Sequence, residues 1–195
     1  MPDSSPFADY PSARAYLAGL PDGRRSYPSC EVSLELVMGL RERGALDGLD
    51  ALTASLEDDG SGWVPEVVFT AVLLVVKDVR FVGPDPEHAM ISWIEAMNRR
   101  MVVASSGPVF GGPSLALVHA PRVWARFHRG TEMEIRHLEE TRAEVILRHP
   151  PGLWPSLVHE WRRRTFLAAL ASEGAALPSA TCERVAEGSQ FSLAW

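Results

Sequence analysis

The stretch Thr131-Glu-Met-Glu-Ile-Arg-His137, the polar Glu139-Glu-Thr-Arg142 and the returning Ala143-Glu-Val-Ile-Leu-Arg-His149 decide the fold. The first segment alternates, with Met133, Ile135 and His137 on one face and Glu132, Glu134 and Arg136 on the other, as a half-buried strand requires. The second carries a continuous apolar run at Val145-Ile-Leu147. It ends at Pro150-Pro-Gly152, because proline cannot donate to a strand ladder. From Pro155 or Ser156 to Glu173 the period changes. Val158, Trp161, Thr165, Phe166, Ala169 and Leu170 recur at helical spacing, Glu160 and Arg162 to Arg164 widen a polar side, and Gly174 closes the helix. Ala180 to Val185 and Gln190 to Trp195 then read as two strands joined by Ala186-Glu-Gly-Ser189. The last of them places Phe191, Leu193 and Trp195 on one face.

Working outward, the preceding two thirds read as mainly helical. A loosely held lead-in over residues 1–10 precedes a short helix near Ser12 to Leu20. Ser29 can cap a helix over Glu31 to Arg43, and a short helix follows around Leu49 to Leu56. After the loop Asp58 to Gly62, the Trp63-Val-Pro-Glu start leads into an apolar segment to about Val79. Six of its ten residues from Val67 are β-branched, which also suits a buried strand; length decides for a central helix. Asp85 and Pro86 open another helix with Met90, Trp93, Ile94, Met97 and Met101 along one face. Ser105 to Pro113 is a connection rich in glycine and proline, before short helices at Ser114 to His119 and Pro121 to Phe127. The expected fold class is α+β in a single domain over 1–195, with 11–128 mainly helical and packed on a small antiparallel sheet from the hairpins of 129–195.

Composition bounds the function. A chain of 195 residues with 46% apolar content can bury a sizeable core. Its net charge of -6 argues against non-specific binding to nucleic acid or anionic membranes. The best basic patch, Arg162 to Arg164, reads as the solvated face of a helix. Cys30 and Cys182 stand alone, so a small buried apolar role in a reducing compartment is expected for both. The N-terminus has no basic and apolar signal regions, and the run from Val67 to Val76 is too short to span a bilayer. A cytoplasmic protein is expected.

The run Phe110-Gly-Gly-Pro-Ser to Ala120-Pro-Arg-Val-Trp, the Arg129-Gly hairpin, Pro150-Pro-Gly, the helix ending Ala171-Ser-Glu-Gly-Ala and Phe191-Ser-Leu-Ala-Trp together resemble a family of unknown function found largely in myxobacteria. That family looks related to ligand-binding domains of the haem-nitric-oxide-binding and four-vinyl-reductase type. The resemblance implies helices followed by a small antiparallel sheet, and an intracellular sensory or assembly role. Two departures matter: the chain has no Tyr-x-Ser-x-Arg haem signature, and Cys182 stands alone where zinc-containing relatives use several cysteines. Haem and zinc are not carried over.

Candidate chemistry is sparse. His128, His137, His149 and His159 fall near Glu132, Glu134, Glu139 and Glu140, but no His-Glu-x-x-His motif or helical histidine pair supports a metal site, and solvated or edge histidines account for them better. An acid–base pair of His137 with Glu139 or Glu140 would need a cleft and a fixed partner. Ser105-Ser-Gly lacks the nucleophile elbow, and Gly107 to Gly112 lacks the lysine of a phosphate loop. The binding clue is aromatic: Trp93 and Met97 on one helix, Trp124 and Phe127 on another, and Trp161 and Phe166 on the last could line an apolar pocket, although core packing uses the same residues. Trp63 and Trp154, beside loops, close the core edge. The expected function is a non-catalytic ligand-binding or regulatory module, without cofactor or metal, for a small apolar ligand or a protein partner, with a homodimer plausible. The alternatives are an adaptor or immunity-type protein using acidic surface at Glu57 to Asp59 or Glu132 to Glu140, and an enzyme with a nonstandard His/Glu site.

Overall fold

The computed structural model describes residues 6–42, 44–49, 52, 54–56, 60–105 and 111–195, with the backbone alone for 55 and 97–105. It is an α+β protein with two antiparallel sheets. The chain falls into two compact units. The first comprises Met1–Glu87 with Arg126–Gly130, and the second comprises His88–Ala125 with Thr131–Trp195.

The first unit is built around a helix whose valine-rich sequence also suits a strand. It contains α1 (Pro11–Ala18), β1 (Glu31–Ser33), α2 (Leu34–Arg41), β2 (Trp63–Pro65) and α3 (Glu66–Arg80). Every residue of α3 from Glu66 to Val76 is buried, as a helix apolar all round must be. Helix α1 packs on it. Asp78 of α3 accepts from the Ser12 backbone N–H at 2.9 Å and from its hydroxyl at 2.6 Å, which satisfies an amide of the first turn of α1. Burial alone would raise the Asp78 carboxyl, but hydrogen bonds from Ser12 and Lys77 hold it below its ordinary value.

Two sequence expectations are corrected here. Glu31–Ser33 is a strand, and the helix begins only at Leu34, with Ser33 rather than Ser29 as cap, accepting from the Glu35 N–H at 3.2 Å. Trp63–Pro65 is likewise a strand, and α3 starts after Pro65. These strands pair antiparallel, and a third, β3 (His128–Arg129), reached through α4 (Pro86–Ser105) and α5 (Pro113–Phe127), completes a sheet of order β2-β1-β3. Of the expected lead-in, 1–5 lie outside the described residues and Phe7 is buried. Of the Leu49 to Leu56 helix, 50, 51 and 53 lie outside them, and Ala54–Leu56 is a 3-10 turn. The connection at 106–110 and the acidic Glu57 to Asp59 also lie outside.

In the second unit, the hairpin β4 (Glu132–Leu138) and β5 (Arg142–Arg148), helix α6 (Ser156–Ser172), and the hairpin β6 (Ser179–Val185) and β7 (Gly188–Ala194) form a four-stranded sheet of order β4-β5-β7-β6. The register aligns Ile135, Val145, Phe191 and Cys182 in one row, and Leu147, Ser189 and Arg184 two rows on. Helix α6 packs on β6 and β7, bringing Phe166 to 5.1 Å from the Phe191 ring. A bulge between Ile135 and His137 breaks the alternation in β4, so the predicted face of Met133, Ile135 and His137 is not continuous, and His137 is exposed. The β6–β7 turn is two residues, Ala186 and Glu187. Gly188 follows at φ 144°, where a Cβ would stand 2.1 Å from the Leu147 carbonyl oxygen. The two helices expected between Ser114 and Phe127 are one, α5, which carries Pro121 inside it.

Candidate functional site

Within the second unit, a pocket of about 210 Å³ lies between the start of α6 and the β6–β7 turn. It is lined by His149, Pro151, Gly152, Trp154, His159, Arg184 and residues of the turn. The chain reaches it because Pro150-Pro-Gly ends β5 and Pro155, three residues after Gly152, stands at the N-cap position of α6. Between them Trp154 is forced inward, where it is fully buried. Its indole lies 4.1 Å from the His149 ring and 6.3 Å from that of His159.

Both nitrogens of His149 are engaged, Nδ1 with the Pro150 carbonyl at 2.9 Å and Nε2 with the Ser189 hydroxyl at 2.8 Å. A carbonyl only accepts, so Nδ1 carries the proton of the neutral ring and Nε2 accepts from Ser189. His159 differs. Burial first, then the electrostatic influence of the neighbouring His149 and Arg184, push its pKa down to about 4, against a hydrogen bond to the Pro155 carbonyl. It is therefore neutral at pH 7, and its buried Nε2 has no hydrogen-bond partner among the described residues. Since the Pro155 bond must come from Nδ1, Nε2 presents a lone pair.

The start of α6 is uncompensated. Its N-cap is Pro155, which offers no side-chain hydrogen bond, and its first turn has no acidic residue. Arg184 donates to the hydroxyl of Ser156, the first helical residue, at 3.2 Å. A guanidinium thus sits at the positive end of a helix of 17 residues, where the macrodipole favours an anion. No carboxylate is among the residues lining the pocket. The neighbouring acid Glu187 is taken by Arg136 and Arg148, which hold it below its ordinary range against its own desolvation.

The aromatic residues expected to line a pocket lie elsewhere. Trp124 and Trp161 are buried with Trp154 around the guanidinium of Arg162, at 4.7, 5.1 and 5.3 Å from Trp124, Trp161 and Trp154 respectively. The Trp124 indole N–H donates to the carbonyl and hydroxyl of Thr131 at 3.3 Å. Phe166 packs on Phe191, and Trp93 and Phe127 are half-buried. The side chains of Met97 and Met101 lie outside the described residues. None of the other five ligand candidates, Trp93, Trp124, Phe127, Trp161 and Phe166, lines the pocket. Arg162 is itself buried, which corrects the solvated reading of the arginine run for that residue. Arg163 and Arg164 are half-exposed and bind Glu160.

Two histidines expected at the surface are buried, His159 above and His128 in the first unit. His128 Nδ1 faces Glu66 Oε2 at 3.6 Å, with side-chain exposures of 3% and 1%. Cys30, whose thiol donates to the Gly130 carbonyl at 3.4 Å, immediately precedes β1. Burial and the nearby Glu66 push this thiol up to about 11, and burial raises Tyr16 as well, against a hydrogen bond with Thr70. Sequence reasoning missed the acid of this cluster, since Glu66 reads as a helix-dipole residue. His137 meets Glu144 at 3.6 Å on the exposed sheet, and Glu139 and Glu140 are exposed. Among the described residues, no three His, Cys, Asp or Glu side chains gather as metal ligands, and no helix is long and apolar enough to cross a membrane.

No family model, no curated protein and no solved structure matches the chain.

Proposed function

We propose that the chain is a non-catalytic ligand-binding protein with a regulatory role, and that its ligand is a small anion rather than the apolar molecule its aromatic content suggests. The observation that carries this reading is Arg184, set against an uncapped helix start in a pocket with no lining carboxylate. An anion there would pair with the guanidinium and with the positive end of α6 together. The volume, about seven times the share of one water in the liquid, suits a molecule of a few heavy atoms. The non-catalytic half of the reading is supported by the pocket bases: both nitrogens of His149 are engaged, and the lowered pKa of His159, about 4, makes it a weak proton acceptor. The resemblance to sensory ligand-binding domains supports the regulatory half.

Small oxyanions at millimolar concentration are expected to raise the melting temperature of the wild-type protein, and Arg184→Ala to weaken their binding at least about tenfold by removing a charge-assisted partner. Titration calorimetry and thermal unfolding measure both. Binding of no small oxyanion, or binding indifferent to Arg184→Ala, overturns the reading.

A further inference from the structure

The lone pair of His159 restricts which anion fits, and this step rests on the anion reading above. Two groups at the pocket make opposite demands. Arg184 offers donors and a positive charge, which any oxyanion satisfies. His159 is 7% exposed, belongs to the pocket wall, and keeps an acceptor nitrogen without a partner among the described residues. An acceptor of this kind costs free energy until a donor reaches it, and a bare anion brings only further lone pairs toward it.

We propose that the pocket selects small oxyanions that carry their own hydroxyl donor, with the anionic oxygens on Arg184 and the hydroxyl donated to His159 Nε2. That nitrogen is out of solvent contact, so it is served only by a group that displaces the wall over it. A hydroxyl recovers a buried hydrogen bond by doing so, and a carboxylate or sulfate oxygen recovers none. Hydroxycarboxylates and hydrogen phosphate share this chemistry. Acetate and sulfate are their counterparts without the donor, similar in size and charge. Ser189 does not take over the role of His159, because it is fully buried and is not among the residues lining the pocket.

The experiment is a calorimetric titration of the full chain at pH 7 with glycolate, acetate, inorganic phosphate and sulfate, repeated on His159→Gln. Glycolate is expected to bind at least tenfold more tightly than acetate, or phosphate at least tenfold more tightly than sulfate. The pair that shows the gap identifies the ligand as a hydroxycarboxylate or a phosphate. In His159→Gln the amide N–H can donate to a bare oxygen, so the gap is expected to shrink to within about threefold. If that variant does not fold, the comparison within the wild-type protein decides alone. Equal binding of all four anions overturns the selectivity and leaves the anion reading standing, whereas binding of none overturns both.

Discussion

Each unit of the molecule gathers histidine into a largely buried setting, and the two differ in what closes the arrangement. In the first, His128 of the three-stranded sheet faces Glu66 of α3, both side chains are almost wholly buried, and Cys30 immediately precedes β1. In the second, His149 and His159 stand 5.6 Å apart on the wall of a pocket with Arg184, and no lining group carries negative charge. The first arrangement supplies its own counter-group and is part of the core. The second lacks one, and a ligand would complete it. What separates structure from site is therefore the charge balance within the cluster, not the residue types.

The comparison can be broken most sharply at Glu66. Deleting a side chain that is 1% exposed leaves a cavity beside His128, so Glu66→Ala is expected to cost about 2–5 kcal/mol in urea unfolding while leaving anion affinity in the second unit unchanged. A loss of anion binding in a folded Glu66→Ala protein would break the division between core cluster and pocket.

The second effect is pH dependence in the pocket. His159 has a folded pKa of about 4, below the ordinary 6.5, so the unfolded chain binds the extra proton more readily. Its contribution is fully present above pH 6.5 and is lost as pH falls from there to about 4. It is worth up to about 3 kcal/mol, an order-of-magnitude figure from the size of the shift. Denaturant titrations across this window should show a shallower slope for His159→Leu than for the wild-type protein, and identical slopes would show that His159 stays exposed to protons in the native state.

The smallest effect concerns the thiols. Burial pushes both Cys30 and Cys182 up to about 11, so neither is an active nucleophile at pH 8. Cys30 is sealed at 1% exposure, whereas Cys182 on the edge strand β6 is half-buried. Alkylation followed by mass spectrometry should label Cys182 first, with Cys30 reacting only on unfolding of the first unit.

The second unit is legible in the sequence because its elements are long enough to show a period: strands of seven residues alternate, and the 17 residues of α6 repeat at 3.6. The sheet of the first unit is not. Its strands are two or three residues long and lie about 30 and 60 positions apart, too short for a period and too distant for a hairpin signal. Pro121 reads as a helix boundary, yet it is tolerated within α5. The site was half visible. His149 and His159 stand out as histidines beside a hairpin and a helix, but Arg184 meets them only through the register of β6 with β7. The helix periodicity that marked Trp124 and Trp161 cannot show that they enclose a cation instead of a cavity. One signal was available: Pro155 opens α6 with no capping side chain and no acid in the first turn, which marks a helix start in want of negative charge.

The two-residue strand His128–Arg129 sets the order in which the chain can mature. Gly130, at φ +68°, passes so close to the Ser29 carbonyl that a Cβ would stand 2.1 Å from its oxygen, while Arg129 lies over Trp63 at 3.8 Å. The first unit thus closes on a segment made some forty residues after the rest of it, across the helices α4 and α5. On the ribosome, Glu66 is synthesised long before His128 and waits for it. The first unit is complete only with residues 126–130, and contacts of such sequence separation favour slow folding.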